Sequence, residues 1–504
     1  MTDSRTPPRP GAYTWYVLGL LTCVNTLNFV DRNIIFALFE PIKRELSLTD
    51  TQLGWLGSAY IVVFSLAAIP LGILSDLKSR RAVMATGVML WSAFTGLGGL
   101  ARRYWQLLLC RSMVGIGEAA YSPAAQALLA DYFPPARRSF ALGVFWIGVA
   151  VGGVLGIWLG GELEHLYGWR AAFLAVGLPG LTLATLTAVL RDPARGVEAL
   201  SLGRMVKRLE LTAWRVVRAT WSLWGFAALG LIAALAVGRA GLGGVDLQSA
   251  VFGTALGLGA LVLVLRAVLA VLAHRHDAEG GPPSVTASTL DEFLEAARFV
   301  LRTPTLIWAF VGGALISFAM NGLVGWSPTY LQRELGLAPQ VAGRTIGLWG
   351  LAAGFLGVVF GGRLGDALAA RYPTGRVIAG ATGFLVGGPL CIWLLSVREL
   401  DLFIPLFFAT LFFFTWYHGP VAATIFDVVP ASIGASVMGT YVFFTHVAGD
   451  AVAYPLVGFV SDRIGIGWAM MLLPVAGFAG GAVFLLAGRT VARDMRRLAR
   501  QRPV

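Results

Sequence analysis

Long uncharged runs of hydrophobic residues recur along the chain, separated by short segments that hold most of the charges. Such runs are typical of membrane-spanning helices, because about 20 residues of helix cross the hydrocarbon core. We predict twelve spans in two groups of six. The first group covers residues 15–39, 52–74, 82–101, 107–130, 140–161 and 171–190. The second group covers residues 306–331, 345–364, 377–395, 403–428, 434–460 and 466–486.

The interval between the two groups combines a basic stretch with two further apolar runs, 221–237 and 247–265. An inserted pair of spans leaves the orientation of the second group unchanged, so we predict an extra hydrophobic hairpin; helices lying on the membrane surface would have the same effect. Residues 290–301 are amphipathic and are predicted to lie along the membrane surface. The predicted domains are an N-terminal six-helix bundle (1–190), a central linker (191–304), a C-terminal six-helix bundle (305–488) and a basic tail (489–504).

The composition agrees with an all-α membrane protein. Of the 504 residues, 57% are hydrophobic and 13% are charged, whereas about 25% are charged in soluble domains. The net charge is +12, but the basic residues lie beside the spans, so membrane anchoring explains the charge better than nucleic-acid binding. Cys23, Cys110 and Cys391 all fall inside predicted spans, which disfavours a disulfide or a metal site. No cofactor is predicted.

Lysine and arginine residues are concentrated in alternate loops. Lys78, Arg80 and Arg81 follow the second span, and Arg137 and Arg138 follow the fourth. The loops on the other side hold fewer basic residues, with the pair after the third span as an exception. By the positive-inside rule we assign both termini to the cytoplasm. We expect a multi-pass protein of a bacterial inner membrane.

The fourth span contains two charged residues, Arg111 and Glu118. A charge at membrane depth costs several kcal/mol unless it faces a cavity or a protein partner. Arg111, Gly115 and Glu118 share one helix face, but the two charged residues are about 10 Å apart along the axis, too far to pair with each other. Each therefore needs a partner on another helix, and the first span offers one of each sign in Asp31 and Arg32.

Asp31 and Glu118 are the predicted proton-responsive pair. The protonation of such a carboxylate depends on the position of a nearby arginine, so a movement of Arg32 or Arg111 can bind or release a proton. A static ion-pair network that only packs two helices together is the alternative. The two arginines also suit an anionic head group, because guanidinium binds carboxylate and phosphate with paired hydrogen bonds. Of the two, Arg111 is the preferred candidate.

A short motif repeats in the loop after the second span of each half. In the first half, Gly72 and Asp76 precede Arg80 and Arg81. The second half repeats the Gly-x-x-x-Asp spacing, ending at Asp366, and two arginines follow at wider spacing. Two equivalent six-helix halves joined by a basic linker indicate a transporter with a site between the halves.

With these motifs the sequence resembles the major facilitator superfamily. The first loop is similar to that family's Gly-x-x-x-Asp-x-x-x-Arg-Arg signature, and the stretch from Arg111 to Gly117 is similar to its Arg-x-x-x-Gly-x-Gly pattern. The stretches from Asn28 to Arg32 and from Arg111 to Tyr121 resemble the spinster group, whose members move lysolipids and sphingoid-type lipids. The resemblance implies a major facilitator fold of two six-helix bundles with a pseudo-two-fold repeat, and transport by alternating access.

The resemblance also implies a cytoplasmic latch. In the family the loop aspartate sits against the second half, and the loop arginines reach an acidic residue that ends the fourth span. A loop that only sets the topology is the alternative. The residues assigned to the latch are Gly72, Asp76, Arg80, Arg81, Asp131 and, as a weaker copy, Asp366.

Further polar and aromatic residues within the spans are predicted to line the substrate site. His446 and Asp450 lie four residues apart on one helix face, so they could bind the substrate or join the proton path; structural hydrogen bonding is equally consistent. The other residues assigned to substrate binding are Asn28, Tyr121, Asn321, Trp326 and Tyr330.

We therefore expect a proton-coupled secondary transporter for a lysophospholipid or another amphipathic lipid, with the bilayer and protons as its partners. Transport of small organic anions by the same arginines is the alternative within this class. A membrane-embedded enzyme that uses His446 and Asp450 is the alternative from another class. The repeated halves favour transport, so no enzyme activity is expected.

Overall fold

The computed structural model describes residues 11–77, 79–191, 298–430 and 433–500, together with Ala296 and isolated residues between 225 and 236. Its helices confirm the all-α prediction. The first group comprises α1 (Ala12–Ala37), α2 (Phe39–Leu46), α3 (Asp50–Leu77), α4 (Arg80–Gly98), α5 (Tyr104–Tyr132), α6 (Pro135–Tyr167) and α7 (Trp169–Ala188). The second group comprises α8 (Pro304–Glu334), α9 (Pro339–Ala369), α10 (Gly375–Ser396), α11 (Leu400–Phe414), α12 (His418–Val428), α13 (Gly434–Thr445), α14 (Ala451–Ile464), α15 (Ile466–Met470), α16 (Leu472–Leu486) and α17 (Val491–Arg500).

The helices extend beyond the apolar runs that predict them. α6 begins at Pro135 and α9 at Pro339, each with a proline in its first turn, whereas hydropathy placed these starts at residues 140 and 345. Proline suits the first helical position because its fixed φ is already helical and the missing N–H has no partner there. The sequence reading also missed the short helix α2, because its polar composition hides it from a search for spans.

Eight of the described helices, some of them merged across short turns, are long and apolar enough to cross a membrane by length and composition. α1, α3, α4 and α5 are not among them. α11 and α12 form one such span through a 3-10 turn at Thr415–Tyr417. The eight are α6 and α7 of the first group and all six spans of the second group.

The two groups of helices belong to one compact unit, residues Met1–Ala194 and Thr303–Val504, and residues Arg195–Arg302 form a second unit. Within the first unit, α3 packs along α14 and α6 packs along α9. Because each group contains six spans, both described chain ends lie at one end of the bundle, called here the terminal end. The predicted hairpin at 221–265 lies almost entirely outside the described residues, and the domain boundaries stay a prediction.

Candidate functional site

Arg111 on α5 pairs with Asp31 on α1. Its Nη1 lies 3.2 Å from Asp31 Oδ1 and also donates to the Asp31 backbone carbonyl at 3.3 Å. Thr95 on α4 donates its hydroxyl to the second carboxylate oxygen. Both charged side chains are almost wholly buried, with 2% and 1% of their surface exposed. Each oxygen of this buried carboxylate therefore has a partner, which the burial of a charge requires.

Arg32, the next residue on α1, pairs with Glu118 on α5. The distance from Arg32 Nη2 to Glu118 Oε2 is 2.9 Å. The Glu118 side chain is 1% exposed and that of Arg32 is 20% exposed. Among the described residues, the second oxygen of Glu118 and the amide nitrogen of Asn28 have no hydrogen-bond partner. This pair therefore combines a buried carboxylate with a partly exposed guanidinium.

The two arginines differ in how accessible they are to a ligand. The sequence analysis preferred Arg111, whereas Arg32 is the more exposed. Arg111 is enclosed by Asp31 and by backbone carbonyls, so its guanidinium has little access to a ligand. Arg32 is 20% exposed, and the carboxylate that it contacts among the described residues is that of Glu118. Helix spacing identified the shared face correctly, but it could not give the depth of each side chain within the packed bundle. Arg32 is the more accessible of the two.

Three aromatic rings surround the Arg32 guanidinium. Its Cζ lies 4.5 Å from the ring centre of Phe29, 4.7 Å from that of Tyr60 and 5.4 Å from that of Phe64. Gly115 allows this approach of α3 to α5, because a Cβ atom at that position would lie 2.6 Å from the Tyr60 carbonyl oxygen. The sequence reading missed both α3 residues, although their spacing of four places them on one helix face.

The second group of helices contains another polar cluster. The chain forms a π-helical turn over His446–Asp450, a geometry frequent at functional sites. Asp450 is buried; it accepts from Asn321 Nδ2 at 2.9 Å and from the Ser317 hydroxyl, and it lies 2.5 Å from His446 Nδ1. The His446 side chain is 36% exposed. The structure therefore brings three predicted residues together and adds Ser317, which the sequence reading missed.

Three predicted substrate-binding residues lie elsewhere. Tyr121, Trp326 and Tyr330 are fully buried. Each donates its polar group to a backbone carbonyl of a neighbouring helix. None of the three offers surface to a ligand in this conformation, because a large aromatic side chain with a polar tip serves equally well as a packing anchor between helices.

The structure describes the side chains of only some of the predicted latch residues. Arg80 Nη1 lies 2.6 Å from Asp131 Oδ2, and Arg81 donates to the Leu190 carbonyl at 3.0 Å. Gly72 and Asp76 lie near the end of α3, with their side chains outside the described residues. The pairing of Arg80 with an acid that ends the fourth span is the arrangement that the family resemblance implies.

The second half contains a matching arrangement. Arg376 lies 3.1 Å from Asp366 Oδ1 and 2.5 Å from Asp427 Oδ2. Asp427 is the penultimate residue of α12, just as Asp131 is the penultimate residue of α5. The sequence reading missed Asp427, although the repeat of Gly-x-x-x-Asp could have directed attention to it.

Charged contacts between the two groups close the end opposite the termini. Arg333 donates two hydrogen bonds to Asp50, at 2.6 and 2.7 Å, and one to Glu40 at 2.5 Å. Asp462 on α14 accepts the backbone N–H groups of Asp50 and Thr51, so it caps the first turn of α3. The structure is therefore closed at this end.

The comparisons with known proteins agree with this architecture. The sequence model of the Major Facilitator Superfamily matches residues 21–265 and 225–449. An MFS-type efflux pump of Mycolicibacterium smegmatis (strain ATCC 700084 / mc(2)155) is 28% identical over 490 residues, 95% of this chain and 94% of that protein. The sphingosine-1-phosphate transporter SPNS2 of Mus musculus is 24% identical over 499 residues, 93% of this chain and 76% of that protein.

A solved structure shares the fold. It is the crystal structure of a bacterial homologue of the human lysosomal transporter spinster, in an inward-facing and unoccupied conformation. The TM-score is 0.72 and the identity 22%, and the match covers 97% of this chain and 99% of that chain. The likeness extends over both groups of helices.

Proposed function

Because the chain belongs to the Major Facilitator Superfamily and is spinster-like, we propose that it is a proton-coupled transporter of an amphipathic lipid, such as a lysophospholipid, working by alternating access. The observation that carries the proposal is the contact between accessible Arg32 and buried Glu118. A single-chain lipid with a phosphate head offers an anion for the arginine and an apolar body for the surfaces beside it.

Proton coupling follows from the charges of the cluster. Two arginines and two carboxylates give a net charge of zero. A phosphate that draws Arg32 away leaves Glu118 buried with an unpaired charge, which is strongly unfavourable. A proton on Glu118 removes that charge, so phosphate binding and proton binding favour each other. Asp31 keeps its partner Arg111 throughout, so its role in coupling is the smaller.

The relatives support a lipid with a charged head. One of them is named for sphingosine-1-phosphate, a single-chain lipid phosphate. Beside Arg32 the half-buried rings of Phe29 and Phe64 offer apolar surface. Asp450 and His446, across the bundle, supply a second polar site for the same substrate.

Alternating access requires that each end can close in turn. Arg333, Asp50 and Glu40 form the gate at the end that is closed here. The Arg80–Asp131 and Arg376–Asp427 pairs lie at the terminal end, where they serve the opposite closure. We place the terminal end in the cytoplasm and the protein in the bacterial inner membrane, because exposed arginines are concentrated in the loops and tail at that end.

Ligand-induced thermal stabilisation of the purified protein tests the proposal. Lysophospholipids of one head group and increasing chain length are compared with short-chain carboxylates and organic phosphates. A melting temperature that rises with chain length supports a lipid substrate, and the effect should be lost in Arg32→Ala and kept in Arg344→Gln, whose arginine is exposed and pairs with Glu162. Stabilisation by short anions, independent of chain length, would favour the small-anion transporter instead.

A further inference from the structure

The last described helix, α17, carries four arginines on its outer side. Arg493, Arg496, Arg497 and Arg500 are all exposed. Their spacing of three, one and three residues places them on one side of the helix, over a length of about 10 Å. Within the described part of the chain, Arg493 lies 3.4 Å from Asp494, and no carboxylate pairs with the other three. These four residues, called here the arginine stripe, form a concentrated positive charge.

The opposite side of α17 is attached to the bundle. Val491 and Asp494 are buried there. Asp494 Oδ2 accepts the backbone N–H of Thr305 at 3.2 Å and the Thr305 hydroxyl at 2.7 Å. Thr305 lies in the first turn of α8, where the N–H groups have no partner within the helix and a negative charge is favourable. Because this contact fixes the orientation of α17, it also keeps the arginine stripe on the outer side.

The position of α17 places the stripe at the edge of the membrane. α16, the last span, ends at Leu486, and α17 begins at Val491 after one 3-10 turn. α17 packs on α8 and on α12, at the terminal end of the bundle. A cluster of arginines directly beside a span lies within reach of anionic lipid head groups, and guanidinium suits the geometry of a phosphate. This position favours a lipid over nucleic acid as the partner.

We propose that the arginine stripe binds the phosphates of anionic phospholipids of the surrounding bilayer. A basic segment that only sets the topology needs charge and no defined arrangement, whereas α17 is attached to two spans with its arginines on one side. The lipid is distinct from the transported substrate, because the stripe lies at the end of the bundle and Arg32 and Asp450 lie within spans. The proposal therefore does not depend on the identity of the substrate.

Lipid bound to the stripe would act on a helix of the terminal end. α17 packs on α12, and Asp427, the penultimate residue of α12, pairs with Arg376 at 2.5 Å. A lipid that holds α17 in place also supports the position of Asp427. Phosphatidylglycerol should therefore raise the melting temperature of the protein. An unchanged melting temperature at saturating lipid would contradict this effect.

Phosphatidylglycerol with a fluorescent acyl chain, titrated into the full-length protein in an uncharged detergent, measures the binding. One arginine near an anionic surface contributes a factor of about five, so the double variant Arg493→Gln, Arg497→Gln should bind at least about tenfold more weakly. The matched control is Arg137→Gln, Arg138→Gln, which removes the same charge from two exposed positions at the start of α6. It should bind almost as the wild type does. Equal weakening in both double variants would overturn the stripe.

An exchange of two neighbouring residues tests the geometry at constant charge. Ala499 and Arg500 are both exposed, and the double variant Ala499→Arg, Arg500→Ala moves one arginine about 100° around the helix. This variant should bind phosphatidylglycerol no better than Arg500→Ala alone. Wild-type affinity in the double variant would show that charge acts without position, and would overturn the stripe.

The substrate site and other polyanions are tested in the same titration. Arg32→Ala should keep the wild-type affinity for phosphatidylglycerol, and a loss of binding there would assign the lipid to the substrate site and overturn the stripe. Displacement of the labelled lipid by short duplex DNA would identify nucleic acid as the partner instead. A protein that binds phosphatidylglycerol through the stripe and binds no lysophospholipid would reject the proposed substrate alone.

Discussion

Arg32 and Glu118 stand 86 positions apart in the sequence, and their Nη2 and Oε2 atoms are 2.9 Å apart in the structure. One partner is buried and the other is accessible. The neighbouring pair of Arg111 and Asp31 is buried on both sides. Two adjacent residues of α1 therefore differ in their surroundings: Asp31 is enclosed in a contact between α1 and α5, and Arg32 keeps part of its charged group exposed.

This difference in surroundings predicts different outcomes for the same change at the two arginines. Arg111→Lys loses the hydrogen bonds to two backbone carbonyls, so we expect the free energy of unfolding to fall by about 2 kcal/mol. Arg32→Lys should leave the melting temperature close to that of the wild type and weaken phosphate-headed lipids, because an ammonium group cannot make the paired hydrogen bonds of guanidinium. Melting curves and lipid titrations measure both effects. The reverse assignment of stability and binding would contradict this prediction.

The contacts of Arg333 predict that its substitution will favour opening of the closed end. Arg333→Gln removes charge-assisted bonds to Asp50 and Glu40, so the state open at this end should gain about 2 kcal/mol, roughly 30-fold in population. Arg344→Gln is the matched control, since Arg344 also bridges the two groups, to Glu162, but its side chain is 57% exposed. An exposed pair contributes less than about 1 kcal/mol.

Distances between two spin labels, measured by electron paramagnetic resonance, can follow that change. Labels on Arg44→Cys and Glu399→Cys, two exposed positions at this end in different halves, report its opening in a background with the exposed Cys23 replaced by serine. Arg333→Gln should add a longer distance, and Arg344→Gln should leave the distribution near that of the wild type. Identical distributions in all three proteins would exclude the gate.

Two substitutions of Asp450 distinguish a structural role of this residue from a functional one. Asp450→Ala removes the acceptor of the Ser317 hydroxyl and the shortest hydrogen bond of Asn321 Nδ2, so we expect the free energy of unfolding to fall by about 1–3 kcal/mol. Asp450→Asn keeps an acceptor oxygen and removes the charge. It should melt close to the wild type and lose most of its transport. Normal transport by Asp450→Asn would make the cluster a helix-packing device only.

The pattern of apolar runs predicted the spans. The cost of an unpaired charge predicted that the charged residues of the first span would pair with those of the fourth. Both inferences rest on the spacing of residues along the chain and on the membrane as the solvent, so both can be made from the sequence alone. The exposure of Arg32 relative to Arg111 does not follow from spacing, because it depends on how closely α3 approaches α5. Gly115 permits that approach, but its meaning is visible only when the Tyr60 backbone is placed beside it.

Contacts between the two halves could not be predicted from the sequence, for another reason. Arg333 meets Asp50, 283 positions earlier, at the end that is closed in this conformation. A transporter of this family has more than one conformation, so its sequence must be compatible with each of them. The buried position of Trp326, whose ring packs on Phe39 of the first half, depends on the same closure. An aromatic residue in a span could therefore not be assigned beforehand to lining or to packing.

Uptake of a radiolabelled lysophospholipid into reconstituted vesicles, with and without an imposed proton gradient, tests proton-coupled lipid transport most directly. The gradient should accelerate uptake by the wild type and by the control Glu399→Gln, whose glutamate is exposed. Glu118→Gln should fold, as judged by its melting curve, and show no acceleration by the gradient, because its side chain can no longer take up a proton. Uptake by Glu118→Gln that responds to the gradient as strongly as the wild type would contradict the central role of the Arg32–Glu118 pair.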